Sequence, residues 1–129
     1  MLIGIDTGVN TGIAVVDGVN IIHIGTYKIL DAMEVVLKYN APVFIEDPNT
    51  FGYSYSKVRG RDQGAGSIKR DFSIWVDFFE KHNIKYTKVN VRSVKDGTDE
   101  KLFKKITGYE KRTSKHAREA CYMVFGRKI

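Results

Sequence analysis

The chain has 129 residues, 43% of them hydrophobic and 12% aromatic, which is enough for a single folded domain with its own core. No apolar run is long enough for a membrane span, and the N-terminus lacks the charged region and small-residue cleavage site of a signal peptide. A net charge of +6 favours a polyanionic partner, and one cysteine, Cys121, excludes an internal disulfide and suits a reducing cytoplasm.

Residues 1–6 read as a strand that is apolar on both faces and ends in Asp6. A glycine-punctuated turn, Asp6-Thr7-Gly8-Val9-Asn10-Thr11-Gly12, leads into a second strand over 12–17. Asp17-Gly18 is a turn signal that predicts a third strand over 20–27, giving an antiparallel meander. Asp31 is expected to cap a helix, with Glu34 as its capping-box partner and Ala32, Val35, Val36 and Tyr39 at helical spacing. Asn40 and Pro42 end that helix. Val43-Phe44-Ile45-Glu46-Asp47 then reads as a short buried strand closing on two acids.

Residues 48–66 read as a polar loop rich in glycine and basic side chains. An amphipathic helix follows, with Ile68, Phe72, Trp75, Val76 and Phe79 on its core face. Ile74 and Phe78 lie off that face, and either a second subunit or the helix near 98–107 would cover them. Asn83 stops this helix, and residues 84–91 form another strand. Thr98 is expected to cap a short helix that Gly108 ends. Ser114 is expected to cap a last helix over 115–125, with Ala117, Ala120, Cys121 and Val124 on its apolar side. Cys121 therefore reads as a buried thiol. The order is βββ-α-β-α-β-α-α, which predicts an α/β fold with a mixed sheet and helices on both faces.

Two acids occupy equivalent places. Asp6 and Glu46 each close an apolar strand, and parallel pairing of those strands would bring both carboxylates to one sheet edge. That edge is where open α/β sheets place their sites. His116 and Glu119 are spaced i, i+3 on the last helix and flank its apolar stripe, while Lys115 and Arg118 are expected to point away. Three carboxylates and an imidazole repel or strain one another unless cations fill the cup. Mg²⁺ suits such oxygen donors, and the imidazole shades the preference toward Mn²⁺. Two such ions roughly 4 Å apart activate water and stabilise the leaving oxygen in phosphodiester cleavage.

Basic residues cluster in two places. Lys57, Arg59, Arg61, Lys69 and Arg70 lie mid-chain, and Lys101, Lys104, Lys105, Lys111, Arg112, Lys115 and Arg118 crowd the last third. The first 50 residues hold two lysines against six acids. Phe51, Tyr53 and Tyr55 alternate in the polar loop, where they either stack on unpaired bases or cover an interface or sheet edge.

Several of these segments resemble the RNase H-like superfamily, and within it the RuvC-type Holliday junction resolvases. Ile3-Gly4-Ile5-Asp6-Thr7-Gly8 and Thr11-Gly12-Ile13-Ala14-Val15-Val16-Asp17 resemble the first hairpin. Val43-Phe44-Ile45-Glu46 resembles the second acidic strand. Arg59-Gly60-Arg61-Asp62-Gln63-Gly64-Ala65-Gly66 resembles the basic segment before the long helix. Val91-Arg92-Ser93-Val94-Lys95 resembles the strand end that carries a lysine, and Ser114 to Ala120 resembles the last helix with its paired acids. Two positions depart: His116 stands where many members have Asp, and Glu119 replaces a shorter Asp.

The resemblance implies one RNase H-like nuclease domain over 1–129, with a five-stranded mixed sheet in the order βββαβαβα. It implies a metal-dependent endodeoxyribonuclease acting on Holliday junctions or other branched DNA as a cytoplasmic homodimer. Asp6, Glu46, His116 and Glu119 would hold two Mg²⁺ or Mn²⁺ ions. Lys57, Arg59, Arg61, Lys69, Arg70, Lys95 and Lys115 would hold DNA. The alternatives are a non-catalytic nucleic-acid-binding module of the same fold, or a nuclease for flaps, forks or RNA–DNA hybrids.

Overall fold

A computed structural model describes residues 1–48, 62–90 and 94–127, without the side chains of 62–68. The first strand, β1 (Leu2–Asp6), pairs antiparallel with β2 (Thr11–Asp17), which pairs antiparallel with β3 (Asn20–Tyr27). The β2–β3 turn uses Gly18 at φ 63°, the left-handed region where a Cβ is costly. Helix α1 (Ile29–Tyr39) then leads to β4 (Val43–Asp47), and α2 (Asp62–Lys81) to β5 (Tyr86–Asn90). Two helices finish the described chain, α3 (Glu100–Thr107) and α4 (Lys115–Val124). The sheet order is β3-β2-β1-β4-β5, with β1, β4 and β5 parallel. This is the expected mixed five-stranded sheet.

Alternation along the strands builds two cores. Ile3, Ile5, Ile13, Val15, Val43 and Ile45 face one side, where α1 and α2 cover them with Val36, Phe72, Trp75 and Phe79. Leu2, Ala14, Val16 and Val89 face the other, under Phe103 of α3 and Ala120, Cys121 and Val124 of α4. Cys121 is buried as expected, and desolvation pushes its thiol up to about 12. The two layers remove one expectation for α2. Its side of the sheet is opposite α3, so that helix does not cover Ile74 or Phe78. Phe78 is half-buried and packs edge-on to Trp75, while Ile74 remains 42% exposed.

Helix ends differ from the sequence reading in two places. Helix α1 begins at Ile29, with Lys28 at its N-cap and no side-chain cap, so Asp31 sits inside the first turn and not at the cap. Its charge there still favours the helix dipole. Asp99, and not Thr98, caps α3 by accepting from the Leu102 N–H at 3.0 Å. Asn40 at φ 48° and Gly108 at φ 74° end α1 and α3 as expected, and Ser114 caps α4 through the Ala117 N–H. The last strand starts later than expected, at Tyr86, and the last helix ends one residue earlier, at Val124. Among the described residues, no helix is long and apolar enough to cross a membrane.

Candidate metal centre

Three elements converge at one sheet edge. Parallel register pairs Ile5 with Ile45, so Asp6 and Glu46 come level at the C-terminal ends of β1 and β4. Both project to the face that α4 covers, because Ile5 and Ile45 beside them face the opposite core. Helix α4 lies unusually close to the sheet. A Cβ on Gly4 would stand 2.1 Å from the Ala120 carbonyl oxygen, and one on Gly12 would stand 2.1 Å from that of His116. Neither contact is sterically possible, so two bare strand positions let the helix backbone rest on β1 and β2. That approach brings Glu119 to Asp6.

Asp6, Glu46 and Glu119 each offer a carboxylate oxygen, and these oxygens lie within 4.8 Å of one another. Asp6 is 6% exposed, and Glu46 and Glu119 are half-buried. Burial is the main cause that lifts the Asp6 carboxyl to about 7, and the negative charge of Glu119 adds to it. Burial likewise lifts Glu46, to about 9, helped by its hydrogen bond to Asp6 and by the charges of Asp6 and Glu119. A hydrogen bond between Glu46 and Asp6 lets the pair hold a proton in common. That bond in turn lowers Asp6 from where burial alone would put it.

His116 joins the site through Asp6 and stands outside the group of three carboxylates. Its Nδ1 lies 2.9 Å from Asp6 Oδ2, and its side chain is 48% exposed, farther into solvent than the helical wheel suggests. The Lys115 Nζ lies 3.8 Å from Glu119 Oε1, on the exposed side of the cluster. Arg118 departs most from the sequence reading. It is 7% exposed and donates from Nη1 to Glu100 Oε2 at 3.2 Å and Thr113 Oγ1 at 3.1 Å. It therefore points into the structure and not away from it.

The remaining expected contacts divide by position. Lys69, Arg70 and Lys95 are exposed. Phe51, Tyr53, Tyr55, Lys57, Arg59 and Arg61 lie outside the described residues. Sequence reasoning missed Gly97, which is buried against α4. A Cβ there would stand 2.9 Å from Glu119 Cγ and 2.7 Å from the Lys115 carbonyl oxygen.

The residues present fit a divalent cation. Three convergent carboxylates are hard oxygen donors, and their burial and mutual repulsion raise the Asp6 and Glu46 carboxyls above the ordinary range, a cost that a cation would relieve.

Element order and sheet topology define an RNase H-like fold. No protein-family model matches the chain, and no curated protein matches it. Among solved structures, T. thermophilus RuvC in complex with a Holliday junction substrate superposes with a TM-score of 0.62 at 12% identity, covering 94% of this chain and 88% of that one. At that identity the likeness concerns the fold.

Proposed function

We propose that this chain is a metal-dependent endonuclease that cleaves branched DNA, with the four-way junction as its first substrate. The observation that carries the reading is the convergence of Asp6, Glu46 and Glu119 at the C-terminal edge of an RNase H-like sheet. The structural likeness to a RuvC that is bound to a junction favours branched DNA over other phosphodiesters.

Asp6, Glu46 and Glu119 would hold the ions. Two divalent cations, when bound, supply the charge that activates water and stabilises the leaving oxygen. His116 would orient the Asp6 carboxylate through the hydrogen bond between its Nδ1 and Oδ2, and is proposed as a further ligand. Lys115 balances Glu119 and stands at the mouth of the site, where a phosphate would compete for its ammonium. Lys69, Arg70 and Lys95, with Lys57, Arg59 and Arg61, would neutralise DNA phosphates. Phe51, Tyr53 and Tyr55 would stack on bases opened at the branch. Symmetric cutting of a junction requires two such sites, which a homodimer supplies most simply.

The test is a cleavage panel in Mg²⁺ and in Mn²⁺ on a four-way junction, a fork, a flap and an RNA–DNA hybrid. Junction cleavage that disappears in Asp6→Asn, with binding retained in Ca²⁺, is the expected result. Binding without cleavage of any substrate would move the chain to the non-catalytic alternative. Cleavage that survives Asp6→Asn would remove the metal-site assignment.

A further inference from the structure

Arg118 lies between His116 and Glu119 in the chain, yet its side chain runs the other way, under the segments that flank α3. Its Nε donates to the Gly97 carbonyl, and its Nη1 donates to the Thr113 carbonyl, to Thr113 Oγ1 and to Glu100 Oε2. Glu100 also accepts from the Thr113 backbone N–H at 3.0 Å, so the anion is tied to the same knot. One guanidinium thus fastens the 94–99 segment, the start of α3 and the 109–114 segment onto the first turns of α4. A planar fork of donors suits this task, because it reaches several acceptors in different directions at once.

The fastening has a consequence for the carboxylate cluster. Gly97 is drawn so close that even a Cβ would press on the Lys115 carbonyl oxygen, on Glu119 Cγ and on Arg118 Cβ, at 2.7 Å, 2.9 Å and 3.1 Å. The Gly97 backbone therefore forms a wall behind the Glu119 side chain. Glu119 has three rotatable bonds and would otherwise spread over several rotamers. With the wall in place, its carboxylate remains on the side where Asp6 and Glu46 lie.

We propose that Arg118 is a positioning residue: by clasping Gly97 against Glu119 it fixes the third carboxylate of the metal centre. The inference rests on the metal-site reading above, and its experiment separates the two. Mn²⁺ binding to the metal-free full chain is measured by calorimetry and by the loss of free Mn²⁺ signal in electron paramagnetic resonance.

Arg118→Lys keeps the charge but lacks the fork, and is expected to bind Mn²⁺ about 10-fold more weakly or worse, as for other groups that orient a ligand. Gly97→Ala leaves the guanidinium itself unaltered but places a methyl group against the Lys115 carbonyl oxygen and Glu119 Cγ, and is expected to shift affinity the same way. It carries the test if Arg118→Lys does not fold. In a Glu119→Gln background neither change should weaken the residual Mn²⁺ binding by more than about 2-fold, because the group being positioned is already altered. A purely structural role would lower affinity equally in both backgrounds. That result, or unchanged affinity in Gly97→Ala, overturns the inference while leaving the metal centre intact. Absence of Mn²⁺ binding by the unaltered chain overturns the metal reading and the inference together.

Discussion

Asp6 and Glu46 show how a single buried charge is managed at the residue scale. In the folded chain they hold protons up to about 7 and about 9, against reference values of 3.8 and 4.5. The folded state therefore binds more protons than the unfolded state over that interval. The resulting stability is fully present below about pH 4, and is lost as pH rises through the two folded values. In chelator, the melting temperature of the unaltered chain should fall relative to Glu46→Gln between pH 5.5 and pH 8.5. The expected change in that difference is at least about 3 °C, which corresponds to roughly 1 kcal/mol for a domain of this size. Saturating Mg²⁺ or Mn²⁺ should restore the unaltered chain at the higher pH, since an ion that binds only the folded state stabilises it by mass action. Melting curves that stay parallel for the two proteins across this range would show that Glu46 is not buried against Asp6.

At the scale of elements, the decisive contact is α4 on the first hairpin. Gly4 and Gly12 are strand residues whose missing side chains set how near the helix can come, and hence how near Glu119 comes to Asp6. Gly12→Ala should cost about 1–3 kcal/mol by overpacking, read as a lower denaturation midpoint at unchanged slope. It should also weaken Mn²⁺ binding, because the helix must retreat to admit the methyl group. Full stability in Gly12→Ala would mean that α4 does not rest on β2 as described.

Much of this arrangement was legible in the sequence. Apolar runs closed by Asp6 and Glu46 announced two strand ends, and their convergence required the parallel pairing that the structure shows. The i, i+3 spacing found Glu119, and Ser114, Asn40 and Gly108 marked real helix ends. Arg118 was not legible, because a helical wheel shows which side of α4 meets the sheet but not which loop folds over another side. Gly97 gave no signal for the same reason, since its burial depends on the path of an irregular segment. The meaning of Gly12 was half legible. It read as part of a turn, while Gly4, Gly12 and Ala14 on one sheet face, opposite Ala117 and Ala120, are the pattern of a close helix approach.

At the scale of the whole molecule, the question is how a basic chain presents an acidic centre to a polyanion. Under the proposed function, a net charge of +6 would attract DNA from a distance, while the acidic cluster would repel phosphate unless cations filled it. The sheet separates the two ends of the chain's charge. Strands β1, β4 and β5 are parallel, so the crossover after β4 starts α2 at the edge that carries Asp6 and Glu46. Lys69 and Arg70 lie in the first half of α2, both exposed. Lys81 ends α2 and Lys85 precedes β5, so these two lie toward the opposite edge, a strand length away. Phosphate contacts release counterions, and each contributes roughly 0.9 to the slope of log affinity against log salt. Replacing Lys69 and Arg70 together by Ala should therefore reduce the slope for four-way junction binding in Ca²⁺ by about 2. Replacing Lys81 and Lys85 together should leave the slope unchanged, although it removes the same net charge. If both pairs flatten the slope equally, DNA responds to the total charge of the chain and is not seated along the edge that holds the carboxylates.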